Sequence, residues 1–420
     1  FYERGAELLK DGGHLCYITS NKWMRAKYGE KLRGYLIKNT SLEILIDFGD
    51  SRIFNATTYT NILLLKKGTH QIKTRSWDLS KVFSFKSSVS DMLEKNEIGQ
   101  SDFSLESFLI IDKSEASIKE KIEGIGTPLK DWDIQINYGI KTGFNEAFII
   151  DGKTKDQLIS EDPKSAEIIK PILRGRDIKK YKAEFADQWL IATFPALHLN
   201  IDNYPAVRDY LKTFGKRLEQ SGEKDCRKKT CNKWFEVQDS IAYYAEFEKE
   251  KIVWAEIVFD SAFYFDKKGY FPEATTFIMT GGRIKYIVAL LNSQPVTAIF
   301  KKFYAGGDLR GDTFRYKKAY LERLPLPKIK EELQKPFETM VDFILFAKEK
   351  GFDAQADIFE QVVDNMVYDL YFADSMKNAD CYITDRIVEM IEPFDENESD
   401  DSKTEYIKLL AQAFKKDKTV

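Results

Sequence analysis

The stretch SLEILIDFGDSRIFNATTYTNILLLKK, residues 41–67, decides the fold of the first part of the chain. Its two ends, LEILI and ILLL, are apolar runs of strand length, separated by a loop rich in Ser, Asn and Thr. Runs this continuous suit strands covered on both faces. The loop is short enough for the second strand to lie antiparallel beside the first. Working outward, HLCYITS (14–20) follows the turn DGG and reads as another strand. RAKYGEKLRGYLIK (25–38) spaces Tyr28, Leu32, Tyr35 and Leu36 at helical intervals. The resulting order is α/β: the closing, C-terminal half of a Rossmann-like, doubly wound sheet, with three strands and no glycine-rich strand-to-helix turn for a nucleotide cofactor. The chain opens on FYERGAELLK, in mid-helix with no capping residue, and reads as a piece of a longer protein.

Residues 1–75 form this sheet region in our reading, and 76–130 a mixed linker region containing SFKSSVSDM and the helical pattern KSEASIKEKIEG. From 131 to 325 short aromatic-rich runs (DWDIQINYGI, QWLIATF, KIVWAEIV, SAFYFD, TTFIMTG) predict a mixed α+β domain, with helices at 206–218 and 284–291. The prolines of LERLPLPKI mark its exit. Residues 326–420 read as a helical region, with helices at 335–350, 355–372 and 406–414 and an acidic segment, FDENESDDSKTE, as solvated linker.

With 64 Lys+Arg against 67 Asp+Glu, the net charge of -3 excludes a polycation. The distribution is uneven: residues 131–325 carry 32 basic and 28 acidic residues, so the remainder is acidic. A polyanion would meet the middle domain. Four scattered cysteines and three histidines argue against a disulfide framework, a structural zinc or a His-based centre, and for a reducing, cytoplasmic setting. No apolar run reaches the ~18 residues that span a bilayer.

Three segments carry candidate chemistry. In YGIKTGFNEAFII (138–150), Gly139 and Gly143 strip side chains from around Lys141 and Thr142, so that amides and a cation can approach a phosphate or base edge; a glycine turn with a surface lysine fits equally. PILRGRDIKKY (171–181) sets Arg174 and Arg176 around Gly175, as forked donors for phosphate or guanine, or as a turn in which Asp177 pairs with an arginine. KKFYAGGDLRGDTFRYKKAYLER (301–323) holds seven basic residues, among them Lys301, Lys302, Arg310 and Arg315, against three acidic ones. Its interleaved Phe303, Tyr304, Phe314 and Tyr316 offer stacking faces to nucleic acid, or fill a core beneath a solvated basic edge. KDCRKKTCNK (224–233) can follow a phosphate backbone or be plain soluble surface, and Phe54 can stack on an extruded base or pack under the sheet.

GGHLCYITSNKW, IFNATTYTNILLLKK, YGIKTGFNEAFIID, ILRGRDIKKY, KWFEVQ, KIVWAEI, YIVALLNSQPV and LERLPLP stand in one order, over residues 1–330. In that order they resemble adenine-N6 DNA methyltransferases of restriction–modification systems, in the Type IIG-like branch with a TaqI-like C-terminal specificity domain. The resemblance implies the closing part of a methyltransferase sheet, then a target-recognition domain on double-stranded DNA. It places the catalytic Pro-Pro-Tyr motif and the S-adenosylmethionine loop upstream, so this piece would be inactive alone and bind no cofactor tightly, and would hold no metal. Phe54 matches the aromatic that stacks on the flipped adenine; Lys141, Thr142, Asn145, Arg174 and Arg176 fall on specificity-domain motifs. A monomer is expected, with or without a fused nuclease; the alternatives are a stand-alone specificity subunit docking on a separate methyltransferase, or a phage-defence methyltransferase without its own nuclease.

Overall fold

A computed structural model describes every residue from 1 to 417 except 50, 52, 56, 57, 70–73, 81, 82, 85, 87, 96, 99, 100 and 306–312. The chain divides into two units. The first comprises Phe1–Thr127, Ile299–Arg315 and Arg323–Pro325; the second comprises Pro128–Ala298, Tyr316–Glu322 and Leu326–Val420.

The first unit is built on β1 (His14–Ser20), β2 (Thr40–Asp47), β3 (Thr60–Lys67) and β4 (Arg75–Asp78), in the spatial order β1-β3-β2-β4. β3 runs antiparallel to both β1 and β2, as the short loop requires, whereas β4 is parallel to β2. The three-strand expectation thus gains a fourth, whose sequence RSWD is too short and polar to announce itself. β2 lies inside the sheet and is buried along most of its length, which is why its sequence is a continuous apolar run. α1 (Tyr2–Leu8) and α2 (Glu30–Asn39) help cover one face, with Ala6, Trp23, Leu36, Leu45, Leu63 and Phe108 in the core; Ile46, Phe48, Trp77 and Leu79 fill the other. The predicted helix at 25–38 begins only at Glu30, because Asn21–Met24 and Lys27–Gly29 are 3-10 turns. Buried Arg33 holds those turns, donating to the carbonyls of Trp23, Ala26 and, at 2.7 Å, Leu105. α3 (Lys113–Ile125) starts on a capping box, Asp112 with Glu115.

The second unit holds two four-stranded sheets. Its strands are β5 (Ile134–Tyr138), β6 (Ile149–Asp151), β7 (Ile169–Leu173), β8 (Gln188–Ile191), β9 (Lys251–Ala255), β10 (Phe263–Asp266), β11 (Phe271–Pro272) and β12 (Thr276–Gly281). One sheet has the order β10-β9-β12-β5, all antiparallel; the other is β11-β7-β8-β6, with β7 parallel to β11. Phe194, Phe247 and Phe271 stack in the core with Ile140, Phe148, Ile172 and Val253. Lys251 and Asp266 face each other across β9 and β10 at 2.6 Å, both fully buried.

After α4 (Ile284–Asn292), the described chain beyond residue 330 holds four helices: α5 (Glu331–Lys350), α6 (Asp353–Asn378, with non-helical backbone at Phe372), α7 (Thr384–Met390) and α8 (Asp400–Lys416). Gly351, in the left-handed region at φ 76°, lets the chain reverse between α5 and α6. α7 escaped the sequence reading; it is nucleated from afar, Asp369 accepting the Ile383 and Thr384 N–H groups at 2.9 Å. The acidic segment at 394–405 is also no free linker. Phe394 packs on Phe343 and Phe346, Glu396 pairs with Lys267, and from Asp400 on the acidic residues form the first turn of α8, where the helix dipole favours them.

Asp364 on α6 accepts the Gln294 N–H at 2.8 Å. Burial pushes its carboxyl up to about 6, against the opposing pull of that N–H and of Lys180 and with the support of Glu360 and Asp260. The folded state therefore holds this proton more tightly than the unfolded chain, and the stabilisation, complete below about pH 4, is lost as pH rises through about 6. Asp364→Asn, which keeps an acceptor for Gln294, is expected to stabilise the protein by about 1 kcal/mol at a pH near 7.5 and by almost nothing near 3. Thermal melts at the two pH values measure this; an equal shift at both would show that ionisation is not the cause.

Candidate nucleic-acid interface

β5 ends at Tyr138, and the chain enters the YGIKTG loop under tight constraint. The Gly139 N–H bonds the Thr276 carbonyl at 2.9 Å and the Ile140 N–H bonds the Pro272 carbonyl at 2.8 Å. A Cβ at Gly139 would lie 2.0 Å from the Glu273 carbonyl oxygen, so no other residue fits without moving the backbone. Gly143 takes a positive φ of 77°, where glycine is favoured. Thr142 is buried: its hydroxyl donates to the Asn145 side chain and accepts the Phe144 N–H at 3.1 Å. Exposed Asn145 in turn donates to the Glu273 carboxylate at 2.9 Å. Lys141 is exposed and makes no side-chain hydrogen bond or ion pair among the described residues. Its carbonyl and that of Thr142 accept the Asp239 and Gln238 N–H groups, at 3.3 and 3.0 Å.

The RGRD turn follows β7. Arg174 grips Asp177 with two side-chain bonds of 2.8 Å, and Asp177 also accepts the Arg174 N–H at 2.9 Å. Burial alone would raise the Asp177 carboxyl; the Arg174 guanidinium and N–H outweigh it and hold it below the usual carboxylate range. Arg174 is thus occupied within the turn, as the pairing alternative had it. Arg176 is exposed and makes no side-chain hydrogen bond or ion pair among the described residues.

Both loops hang on one segment, FPEATT (271–276). Glu273 donates its N–H to the Leu173 carbonyl at 2.8 Å while its carboxylate receives Asn145, and Gly175 packs against Ala255 and Thr275. Glu273 and this segment were missed in the sequence, where nothing local marks a glutamate between two apolar strands as a clamp. Arg227 was missed too, read as one basic residue among several. It is buried, lies over the Phe148 ring at 5.0 Å, and donates to the carbonyls of Leu218, Trp234, Glu236 and Thr142. Burial pulls its guanidinium down to about 10, which leaves it charged at neutral pH.

The basic aromatic segment falls in the first unit from Ile299 to Arg315. Lys301 lies over the Phe314 ring at 4.4 Å, Lys302 pairs with Glu115, and Arg315 is half-buried; Arg310 lies outside the described residues. Phe303, Tyr304, Phe314 and Tyr316 are all buried, so they are core rather than stacking faces, a correction to that reading. Phe54, by contrast, is 49% exposed.

The first unit is thus built on a mixed α/β sheet, and the second carries two loops braced on one segment. Residues 1–54 match the Eco57I restriction-modification methylase family and residues 170–326 the TaqI-like C-terminal specificity domain, so the chain combines a restriction–modification methylase segment with a TaqI-like specificity domain. It is 24% identical over 344 residues to the Type II methyltransferase M.PaeR7I of Pseudomonas aeruginosa, covering 78% of this chain and 58% of that protein. It is 23% identical to M.BstVI of Geobacillus stearothermophilus, over 86% of this chain and 66% of that protein. The chain therefore spans about three-fifths of the length of these relatives. A 71-residue stretch is 42% identical to the Type II restriction enzyme and methyltransferase RM.Eco57I of Escherichia coli, covering 17% of this chain and 7% of that protein. Among solved structures, the Type IIL restriction-modification enzyme MmeI in complex with DNA shares the fold, with a TM-score of 0.50 at 12% identity over 96% of this chain and 50% of that one.

Proposed function

We propose that this chain is the DNA-recognising part, with the end of the catalytic sheet, of an adenine-N6 DNA methyltransferase of a restriction–modification system that takes its methyl group from S-adenosylmethionine. The observation that carries the reading is the convergence of two braced loops on 271–276. Thr142, Asn145, Arg174 and Glu273 are used up in holding the loops, and Lys141 and Arg176 are left exposed and unpaired among the described residues. Cations positioned in this way suit the phosphates and base edges of a duplex. Phe54 offers the face on which an extruded adenine stacks, offsetting part of the cost of leaving the helix.

The two roles separate in the full-length enzyme. Phe54→Ala is expected to lower methyl transfer by about 10–100-fold at near-normal duplex affinity, since a base–aromatic stack is worth roughly 1–3 kcal/mol. Lys141→Ala is expected to do the reverse, weakening duplex binding about 5–10-fold with folding and the rate at saturating DNA kept. Unchanged methyl transfer by the Phe54 variant removes the stacking role. If Lys141→Ala unfolds the domain, its loop is structural.

A further inference from the structure

We infer that residues 219–243 form an arm that grips the phosphate backbone of the duplex through Lys224, Lys228 and Lys229, an inference resting on the DNA-recognition reading above. The stretch runs from the turn Gly215–Leu218 to the turn Tyr244–Phe247 without a helix or strand. Irregular segments longer than about 15 residues are uncommon in compact domains and most often serve a function when ordered.

This one is braced from within. The Gln220 amide donates to the Lys233 and Glu236 carbonyls at 3.1 and 3.0 Å, and its oxygen accepts the Thr230 hydroxyl at 2.7 Å. The Asn232 amide donates to the Val237 and Gln238 carbonyls at 3.0 and 2.9 Å. Buried Arg227 ties the Leu218 and Trp234 carbonyls, shares that of Glu236 with Gln220, and reaches Thr142 in the Lys141 loop. Side chains supply the hydrogen bonds that a ladder would otherwise provide, so an irregular backbone is held in one shape.

On this braced arm Lys224, Lys228 and Lys229 are exposed and have no carboxylate partner among the described residues, although Lys216 and Lys233 nearby pair with Glu223 and Glu236. The flexible, compact ammonium of lysine suits phosphate better than the planar, two-point recognition of a base edge. The arm is bonded to the Lys141 loop through Gln238, Asp239 and Arg227, so backbone grip and loop share one rigid support.

The test is fluorescence anisotropy of the 420-residue chain on random-sequence duplexes across a KCl series. Lys224→Ala/Lys228→Ala/Lys229→Ala is expected to flatten the slope of log K against log salt by about 2–3, and to weaken all duplexes alike, with circular dichroism and melting unchanged. An unchanged slope, while the parent chain binds, overturns the arm and leaves the DNA reading standing. A loss confined to one duplex sequence assigns the lysines to base readout and also overturns it. A parent chain that binds no duplex at low salt overturns both.

Discussion

Asp266→Ala is expected to destabilise the second unit by about 3–5 kcal/mol, the cost of stranding a buried charge. Asp266 and Lys251 are both fully buried, so water cannot replace the lost partner. Burial already pulls the Lys251 ammonium down, and Asp266 is the main group opposing that pull. Asp266 also accepts the Lys268 and Tyr270 N–H groups, at 2.7 and 2.8 Å, so its loss orphans the turn after β10 as well. The double variant Lys251→Met/Asp266→Leu is expected to recover part of the loss, because no charge then remains, but not all of it, because those two N–H groups stay unpaired. Urea unfolding followed by circular dichroism measures both. A loss below about 1 kcal/mol for Asp266→Ala would show that the pair is hydrated in solution.

Arg227→Ala is expected to cost about 2–4 kcal/mol and to release residues 219–243 before the rest of the domain. Four main-chain carbonyls lose this donor together, although Glu236 keeps the Gln220 amide and Thr142 the Gln238 N–H, and the Phe148 ring loses the cation above it. Arg227→Lys keeps the charge but has no planar fork to reach four acceptors, so it is expected to restore less than half of the loss. Hydrogen exchange and limited proteolysis read the outcome directly. Protection of 219–243 equal to that of the parent would show that the arm does not depend on this guanidinium. Duplex affinity is expected to fall with the arm, since the Lys141 loop loses one of its anchors.

Elements set by nearby residues were legible from the sequence. The apolar runs of β2 and β3 and their antiparallel pairing follow from run length and a short loop, and the helices 331–350 and 353–378 follow from apolar period. Their ends were less so, because Ser399 capping α8 and the 3-10 turns before α2 depend on side-chain bonds that period does not report. The loops at Lys141 and Arg174 were visible as glycine flanked by cations. Which of those cations would remain available was not visible: Arg174 is taken by Asp177, and Arg176 is not.

The sequence by itself therefore determined the α/β start, the α+β middle, the helical end and the segments that are candidates for recognition chemistry. Tertiary structure alone decided that Glu273 joins two loops far apart in the chain, that Arg227 is an internal brace, and that the aromatics of 303–316 are core. The reason is physical. Period and turn chemistry act over a few residues, whereas the fate of a polar side chain depends on which carbonyls and carboxylates the fold brings within about 3 Å of it.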